Sequence, residues 1–385
     1  MRLAIVASHP VQYYAPIYRA LSQRFELTVL YGHQATQADQ AEAGFGVGFA
    51  WDVDLLSGYP HRFLHNVAKE PGLGHFGGVD TPDVGAHLEG ADAVLLMGWN
   101  LKCFHQALWA AKRRGIKVIV RGDSQLGTMR ATWKRLAKEI VYPLFLRSFD
   151  AALVVGERNR AYWRHYGYPQ KRLFWAPHCV DQSWFSAHAA APAGARLRAQ
   201  LGVTPATRLV LFAGKLVDFK RPMDVIAAVA RMGEEGELPD VMVAGAGPLG
   251  DALKARASEL GVRLHLLGFC NQSRMPAVYA AANLLVLPSD GRETWGLVVN
   301  EALACGCSIL VSDEVGCAPD MVAVLGEGAC FRCGDIADLA AHMGAALARP
   351  LSEERLSRAQ SRFAIERVVE GVEACLAALL PQLKA

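Results

Sequence analysis

The sequence has no long hydrophobic run, little net charge and no basic patches interleaved with aromatic residues. In 385 residues, no stretch approaches the roughly 20 uninterrupted apolar residues that a membrane-spanning helix needs. Residues 1–7 lack the longer apolar region and the cleavage site of a signal peptide. The net charge of only +3, without a basic-aromatic pattern, does not indicate a nucleic-acid ligand. We therefore expect a cytoplasmic protein that does not bind nucleic acid.

The chain does have a composition suited to large buried cores. Hydrophobic residues make up 52% and charged residues 20% of it, as in ordinary globular proteins, and the length predicts two or three domains. The charge is unevenly placed, because residues 1–185 contain 21 basic and 15 acidic residues whereas the remainder contains 19 and 22. A modestly basic first half favours anionic partners, such as phospholipid or phosphorylated acceptors.

The cysteines allow two interpretations. Five of the nine fall between Cys305 and Cys333, and the spacing of Cys330 and Cys333 is that of metal ligands, which would suit a zinc site. The other pair, Cys305 and Cys307, has a poor spacing for zinc and lies in an alanine-rich apolar run where small thiols pack well. The pattern favours reduced thiols in the core and no metal.

Short, continuously apolar runs recur along the chain and alternate with helix-like segments. Such runs are typical of parallel strands that are buried on both faces, with crossover helices between them. The predicted strands are 3–7, 27–31, 93–97, 117–121, 151–155, 173–176, 209–213, 241–245, 263–267, 284–287 and 307–312. The sequence therefore predicts an α/β protein with two doubly wound parallel sheets, one in each half.

A domain boundary is visible at residues 186–199, which contain few large apolar groups and are interrupted by Pro192 and Gly194. This composition is typical of a linker or of the approach to a new helix. Apolar side chains at helical spacing near the end of the chain predict a C-terminal helix that could pack back on the first domain. The predicted N-terminal domain, linker region, C-terminal domain and C-terminal helix are 1–185, 186–208, 209–360 and 361–385.

Residues 130–147 combine an apolar helical face with basic neighbours. The apolar positions are Trp133, Leu136, Ala137, Ile140, Val141 and Leu144. The basic positions are Arg130, Lys134, Arg135, Lys138 and Arg147. A helix of this kind can lie on an anionic membrane surface, which would give peripheral contact with the cytoplasmic face of the inner membrane. The sequence favours the alternative, an ordinary exposed helix that covers the sheet.

The segment 288–306 contains the most informative pattern of chemical groups. It follows a predicted strand, continues as a polar loop and then as helix formers, so that Glu293 is expected in the loop, Gly296 at the start of the helix and Glu301 inside it. The amides and dipole of a helix N-terminus bind diphosphate, and a glycine lets the backbone approach the ligand closely. The two carboxylates could then accept hydrogen bonds from sugar hydroxyls, or be a loop charge and a solvated helix residue.

This pattern resembles glycosyltransferase family 4, the large retaining family of GT-B fold. Glu293 and Glu301, with Trp-Gly-Leu-Val-Val between them, resemble its E-x7-E signature. Residues 211–222 resemble its strand and loop with two cations, at Lys215 and Lys220. Lys215 stands where arginine is commoner, and a lysine would contact phosphate as a point charge.

Two further segments match the family in the expected order. Residues 244–249 resemble its Gly-x-Gly-Pro turn, and 267–269 resemble the loop whose backbone meets the nucleobase. The donor-binding residues that the resemblance implies are Gly214, Lys215, Lys220, Gly245, Gly247, Phe269, Glu293, Trp295, Gly296, Leu297, Val298 and Glu301. Of these, the implied catalytic residues are Lys215, Lys220 and Glu293.

The resemblance also implies a fold and a reaction. The fold would be two Rossmann-like domains that face a cleft. The reaction would transfer a hexosyl-type sugar, with retention, from a nucleotide diphosphate sugar, most often a UDP-sugar, with no cofactor and no metal. Glu293 would orient the hexose and Glu301 the ribose. The acceptor would be a small molecule, a lipid-linked compound or a glycan, in polysaccharide, glycolipid or secondary-metabolite glycosylation.

The first half matches the family less closely. Residues 176–181 resemble its hinge, with His178 and Cys179 as departures, and residues 8–16 replace its usual glycine-rich loop. Residues 51–59 and 120–124 resemble features of a family subgroup that builds bacterial surface polysaccharides or secondary metabolites. The candidate acceptor-side residues are His9, Gln12, Tyr13, Arg121 and Asp123. For His9 a cap of the first strand, and for Arg121 and Asp123 a local salt bridge or turn, stay open as alternatives.

Other functions stay open as well. A nucleotide-sugar epimerase or a phosphorylase would share the sheets and the phosphate cations, and a non-catalytic nucleotide-sugar-binding protein would share the site. The residues 245–248, Gly-Ala-Gly-Pro, lack the third glycine of a dinucleotide-binding fingerprint, which disfavours a dehydrogenase. Asp52 and Asp54 could be the metal-binding Asp-x-Asp of the other glycosyltransferase fold, but two parallel sheets argue against it.

Overall fold

The computed structural model describes residues 1–34, 48–127, 132–189, 191–233 and 238–383, with residues 132–135, 191 and 383 by backbone alone. The strands are β1 Arg2–Ala7, β2 Glu26–Tyr31, β3 His61–Phe63, β4 Ala93–Leu96, β5 Lys117–Arg121, β6 Ala151–Val154, β7 Leu173–Trp175, β8 Leu209–Ala213, β9 Asp240–Ala244, β10 Leu264–Gly268, β11 Leu284–Leu287, β12 Ser308–Ser312 and β13 Cys330–Phe331. They form two parallel sheets of seven and six strands, as the GT-B prediction requires.

Helices connect the strands and cover both faces of each sheet. They are α1 Ala15–Ser22, α2 Lys102–Arg113, α3 Thr132–Phe145, α4 Glu157–His165, α5 Gln182–His188, α6 Ala191–Gln200, α7 Pro222–Gly233, α8 Gly250–Glu259, α9 Met275–Ala281, α10 Leu297–Ala304, α11 Ala318–Leu325, α12 Ile336–Ala348, α13 Glu353–Arg362 and α14 Ile365–Leu379. Within the described ranges, no helix has the length and apolar character that crossing a membrane would take.

The first sheet has the strand order β3-β2-β1-β4-β5-β6-β7. Ile5, at its centre, pairs with Val29 on one side and Leu95 on the other. The side chains of β1, β4 and β6 alternate between two apolar clusters, one on each face of the sheet. Burial on both faces explains why these strands are continuously apolar in the sequence.

The second sheet has the order β10-β9-β8-β11-β12-β13 and also separates two apolar clusters. The sequence did not predict two strands, β3 and β13. They have three and two residues, and they lie at the edges of the sheets. β3 contains His61 and Arg62, and β13 spans only two residues, so neither forms an apolar run long enough for periodicity to find.

Two helical segments, α6 and α14, lie where the chain passes between the two domains. The region 186–208, expected as a linker, contains α6, which packs against α9 of the second domain, and Gly194 lies directly against Ala280. The chain then returns, because α14 packs on α1, β6 and β7 of the first domain. Val372 and Leu376 lie in the same apolar cluster as Leu3 of β1.

Candidate functional site

The strand order of each sheet reverses direction once, between β1 and β4 in the first and between β8 and β11 in the second. At such a point the loops that follow the two central strands diverge and leave a crevice at their carboxyl ends, where α/β proteins bind ligands. Both crevices are present as cavities, and they lie on either side of the seam between the domains. We call them the second-domain cavity and the first-domain cavity.

The second-domain cavity, of about 440 Å³, collects most of the residues that the resemblance implied for the donor. Those in its lining are Gly214, Lys215, Lys220, Gly245, Phe269, Glu293, Val298 and Glu301. The lining also contains residues that the sequence analysis did not select, namely Trp51, Ala213, Phe219, Ala244, Cys270, Gln272, Met275 and Arg292. Gly247, Trp295, Gly296 and Leu297 lie outside the lining.

The two lysines and Glu293 form an ionic group in this cavity. The ammonium of Lys220 donates to the carboxylate of Glu293, and Ser289 donates to the same oxygen at 3.4 Å. Burial lowers the pKa of Lys215, Lys220 lowers it further, and Glu293 opposes the shift. Because the two ammonium groups repel each other in a half-buried position, this corner of the cavity favours an additional anion.

The loop before α10 turns through a left-handed glycine. Gly296 has φ +93° and caps the helix, and a Cβ there would overlap the side chain of Leu287. Trp295, next to it, is buried, and its indole donates to Asn300 at 2.8 Å. The ring centres of Trp295 and His178 are 5.3 Å apart. The expected donor contact of Trp295 is therefore not made by its side chain, which holds the loop against the first domain.

The glycines after β8 and β9 let two backbone segments touch. A Cβ at Gly245 would overlap the carbonyl oxygen of Gly214, so that neither loop could keep its position. Gly247 is similarly crowded by the backbone of Leu216. Gly214 and Gly245 thereby let the main chain form part of the cavity wall. Gly247 allows a close backbone contact outside the cavity lining.

Glu301 is a buried carboxylate held by two tyrosines. The hydroxyl of Tyr279 donates to one oxygen at 2.5 Å, and that of Tyr13, from the first domain, donates to the other at 2.8 Å. Burial raises the pKa of Glu301 to about 7, and the two hydrogen bonds partly oppose that rise. Tyr279 was missed because one tyrosine on a helix carries no pattern; only the fold brings it to Glu301.

The first domain contributes further groups to the same cavity. Gln12 and Tyr13, expected on the acceptor side, line the second-domain cavity instead. They do so because residues 8–14 follow β1 and cross the seam between the domains. Trp51 closes another part of the wall, and its neighbour Phe49 contacts the ring of Phe269 at 4.4 Å.

The acidic pair of residues 52–54, for which the sequence disfavoured a metal site, makes other contacts. Asp52 accepts hydrogen bonds from the backbone amide and hydroxyl of Ser273, and Asp54 accepts from the backbone of Leu56 and Ser57. All nine cysteines are free thiols. Within the described part of the chain, no three acidic, histidine or cysteine side chains are grouped as metal ligands.

The first-domain cavity, of about 580 Å³, opens at the carboxyl ends of β1, β4 and β5. Its lining is Tyr14, Phe76, Met97, Gly98, Trp99, Asn100, His105, Arg121, Gly122, Asp123, Ser124, Lys138, Val141, Tyr142 and Phe145. Arg121 and Asp123 thus lie where the acceptor side was expected, whereas His9 lines neither cavity and its Nδ1 is 2.9 Å from the hydroxyl of Ser8. The carboxylate of Asp123 accepts a hydrogen bond from Thr294 at 2.8 Å, beside Glu293.

The helix α3 forms the outer wall of this cavity and corrects one expectation. Tyr142 and Phe145 pack onto the domain, but Leu136, Ile140, Val141 and Leu144 are 59%, 76%, 56% and 74% exposed. The helix therefore does not cover the sheet with its predicted apolar face. Of the other predicted positions, Arg130 lies outside the described residues, as do the side chains of Trp133, Lys134 and Arg135.

One known protein family matches the part of the chain that forms most of the second-domain cavity. The model of the family "Glycosyl transferases group 1" matches residues 195–363, which include all four charged residues of the second-domain cavity that the sequence analysis selected. The part of the chain that forms most of this cavity is therefore similar to the group 1 glycosyltransferases, over less than half of the chain. The family thus accounts for the second domain, whereas the first-domain cavity lies outside the matched region.

Individual proteins similar to this chain match it over part of their length. A D-inositol 3-phosphate glycosyltransferase of Mycolicibacterium gilvum is 39% identical over 134 residues, 32% of this chain and 28% of the relative. The Mycobacterium sp. (strain KMS) protein of the same name is 37% identical over 165 residues, 40% and 36% of the two chains. The alignments thus span about a third of these relatives.

Solved structures share the whole fold at low identity. The Anabaena protein Alr3699/HepE in complex with UDP has a TM-score of 0.73 at 16% identity, covering 98% of this chain and 100% of that one. The sucrose-phosphate synthase of Thermosynechococcus elongatus has a TM-score of 0.69 at 17% identity, with 99% and 100% covered. These likenesses establish that the chain has the GT-B fold.

Proposed function

We propose that this protein is a retaining, metal-independent glycosyltransferase that moves a hexosyl-type sugar from a nucleotide diphosphate sugar to an acceptor hydroxyl. The observation that carries the proposal is the second-domain cavity, in which Lys215 and Lys220 lie beside Glu293, with Glu301 in the same lining. Two ammonium groups suit a diphosphate, and the two carboxylates suit the hydroxyls of the hexose and the ribose.

UDP is the nucleotide that we propose. Structures of the Anabaena neighbour contain UDP and UDP-glucose, which supports a uridine nucleotide as the first one to test. Phe269 and Trp51 also line the cavity, and an aromatic ring is a suitable surface for stacking a nucleobase. The nucleobase would lie there, and the diphosphate would lie against the lysines.

The proposed reaction makes one bond and breaks one. The acceptor oxygen bonds to the anomeric carbon as the bond from that carbon to the diphosphate oxygen breaks, on the same face of the sugar. The leaving nucleoside diphosphate keeps both electrons of the broken bond, and one of its phosphate oxygens accepts the acceptor's proton. Lys215 and Lys220 stabilise the charge that develops on the leaving group, which is the part a divalent metal performs in other transferases.

The first-domain cavity favours transfer over the alternatives that act on the donor alone. An epimerase needs no space for a second substrate, and neither does a protein that only binds the nucleotide sugar. Here a cavity of about 580 Å³ lies across the seam from Glu293, with Asp123 bound to Thr294 of the same loop. We propose that the acceptor binds in this cavity, with its hydroxyl near Asp123.

The test is turnover of a UDP-sugar panel with acceptors that include D-inositol 3-phosphate and lipid-linked glycans. Lys220→Ala and Glu301→Ala should each lower turnover at least about a hundredfold, whereas Lys254→Ala, which removes an exposed lysine of α8, should not. Excess EDTA should leave the rate unchanged, and NMR of the product should show the donor's anomeric configuration. Near-normal transfer by either cavity variant, or a loss in EDTA that Mg²⁺ reverses, would refute this proposal.

A further inference from the structure

Arg121 is a buried cation that forms no ion pair with the residues that the structure describes. It is 3% exposed, and it donates to the carbonyl oxygens of Ala176 and Pro177 at 3.4 and 3.0 Å. Its Nε donor is buried without a partner, and among the described residues no carboxylate forms an ion pair with it. A buried guanidinium usually has an oxyanion beside it, because burial without one is costly. Arg121 lines the first-domain cavity, so the missing oxyanion can belong to a ligand there.

A second cation lies in the same lining, on α3. The ammonium of Lys138 lies 4.3 Å from the ring centre of Tyr142 and donates to the hydroxyl of Tyr162 at 3.1 Å. One carboxylate, Asp123, also lines the cavity, but it is bound to Thr294 on the side that meets the second domain. Two cations and one carboxylate thus line the cavity, and the carboxylate is hydrogen-bonded to the second domain.

The wall of the cavity continues into an exposed apolar surface. Val141 lines the cavity and is itself 56% exposed, while Leu136, Ile140 and Leu144 occupy the next positions of the same helix face. Exposed apolar side chains in this number on one helix mark an interaction site. Arg147, just beyond the helix, is exposed, and the first half of the chain carries an excess of basic residues.

The neighbouring helix extends this surface. His105 of α2 stacks on Phe145 of α3 with ring centres 5.4 Å apart. Trp109 lies one turn further along the same face of α2 and is 58% exposed. An exposed tryptophan beside apolar and basic side chains is typical of proteins that lie in the interface of an anionic membrane.

We propose that the acceptor is an anionic amphiphile taken from an anionic membrane surface. Its oxyanion binds Arg121 and Lys138, its hydrocarbon chain lies along the exposed face of α3, and its hydroxyl points to Asp123 and the loop of Glu293. A single ligand of this kind explains why a cavity with two cations lies beside an apolar helix face. The inference rests on the proposed function, whose acceptor class it names.

The binding test uses decyl phosphate as the probe, below its micelle concentration, in isothermal titration calorimetry. It should bind at least about tenfold more tightly than inorganic phosphate or D-inositol 3-phosphate, which lack the chain, and than decyl maltoside, which lacks the anion. Equal affinity for decyl maltoside would overturn the anionic head group. Equal affinity for either soluble phosphate would overturn the lipid chain.

Variants locate the two halves of the ligand. Lys138→Gln and Arg121→Lys should each weaken decyl phosphate binding at least about fivefold, and Lys138→Gln decides the outcome if loss of the carbonyl contacts unfolds the Arg121 variant. The double change Ile140→Glu and Leu144→Glu should abolish flotation with vesicles of phosphatidylcholine and phosphatidylglycerol. The matched control Val67→Glu, at an exposed apolar residue of the same domain, should float normally. Unchanged binding in Lys138→Gln, or unchanged flotation in the double variant, would overturn the proposal.

UDP binding separates this inference from the proposed function. If the wild-type protein binds UDP and transfers sugar but does not bind decyl phosphate, the acceptor class is wrong and the transferase assignment stands. If it binds no nucleotide and transfers no sugar, the proposed function itself fails, whatever the lipid results.

Discussion

The ionisation of Glu301 predicts that donor binding depends on pH. Burial raises the pKa of this carboxyl group from its ordinary value of 4.5 to about 7. A protonated carboxyl uses one of its oxygens as a donor, so only the ionised form offers all its lone pairs to ribose hydroxyls. Because Tyr13 and Tyr279 already occupy one site on each oxygen, the remaining acceptor sites are needed. We therefore expect the affinity for a nucleotide sugar to rise as the pH rises through about 7.

The size of the effect follows from the titration. With a pKa of about 7, roughly one Glu301 in ten is ionised at pH 6 and roughly nine in ten at pH 8. If the donor binds only the ionised form, its dissociation constant should be roughly tenfold larger at pH 6 than at pH 8. UDP-glucose is the right probe, because neither of its phosphates is terminal and both keep their charge across this range, unlike the terminal phosphate of UDP.

The assay is calorimetric titration with UDP-glucose between pH 6 and pH 8 for three proteins. The wild type should show the tenfold change. Glu301→Gln should bind more weakly at pH 8 and lose the pH dependence. Tyr13→Phe should move the midpoint to higher pH, because the hydrogen bond from Tyr13 lowers the pKa of Glu301. A wild-type affinity that does not vary with pH, or a variation that persists in Glu301→Gln, would refute the reasoning.

The same ionisation should be visible in the stability of the unliganded protein. A carboxyl group whose pKa is raised by folding stabilises the fold fully below its unfolded value of 4.5, and this contribution is lost as the pH rises through about 7. Glu301→Gln removes the charge that has to be buried above that pH. It should therefore raise the Tm relative to the wild type at pH 8 and much less at pH 5. An equal shift at both pH values would show that packing, and not charge, is responsible.

Three further predictions concern single contacts. Gly245→Ala should lower stability by roughly 1–3 kcal/mol in thermal unfolding and abolish UDP binding, because its Cβ would overlap the carbonyl oxygen of Gly214; a wild-type Tm would contradict this. Trp51→Ala should weaken UDP binding about tenfold if the ring stacks on the base, whereas Trp109→Ala, outside that cavity, should not change it. Asp320→Asn should raise the Tm at pH 8 but not at pH 5, because burial raises the pKa of Asp320 to about 7. Its Oδ1 accepts no hydrogen bond from the described residues. An unchanged Tm at pH 8 would count against the raised pKa.

Much of the fold could be predicted because burial on both faces leaves a direct trace in the sequence. Central strands such as β4 and β11 are apolar at every position, and this is what the runs at 93–97 and 284–287 record. The edge strands β3 and β13 have no such trace. Their pairing with β2 and β12 is decided by the crossovers that bring them there, and no local pattern reports it.

The donor side of the site could be predicted for a different reason. Its groups come from short segments that each follow a strand, so the spacing within a segment, as between Glu293 and Glu301, reflects the local geometry. The partners of these groups could not be predicted in the same way. Tyr13 is 288 residues from Glu301 in the chain, and Trp51 reaches the cavity from a loop of the other domain.

Of the first-domain cavity, only Arg121 and Asp123 could be predicted, because several separate segments each give it only a few residues. Trp99, Arg121, Lys138 and Tyr14 follow or cover different strands, and no two of them are near enough in sequence to form a motif. What the sequence did contain was the apolar and basic character of 130–147. The pattern was identified, but its orientation could not be inferred, since an apolar helix face can cover a sheet or meet a membrane with the same periodicity.

The polar groups of the second-domain cavity are paired with one another in the unliganded protein, and this pairing has a consequence for the reaction. Lys220 is bound to Glu293, and Glu301 is bound to Tyr13 of the first domain. A diphosphate that attracts Lys220 frees the carboxylate of Glu293 to accept a hydrogen bond from the hexose, so the donor's two halves favour each other's binding. UDP alone would release Glu293 without giving it a partner, whereas a UDP-sugar gives it one. The contribution of the hexose to affinity should therefore fall in Glu293→Gln but persist in Lys220→Met, because Glu293 then has no cation to leave before it accepts from the hexose. If Glu293→Gln kept the wild-type ratio of UDP-glucose to UDP affinity, or Lys220→Met lost it, this coupling through the ion pair would be wrong.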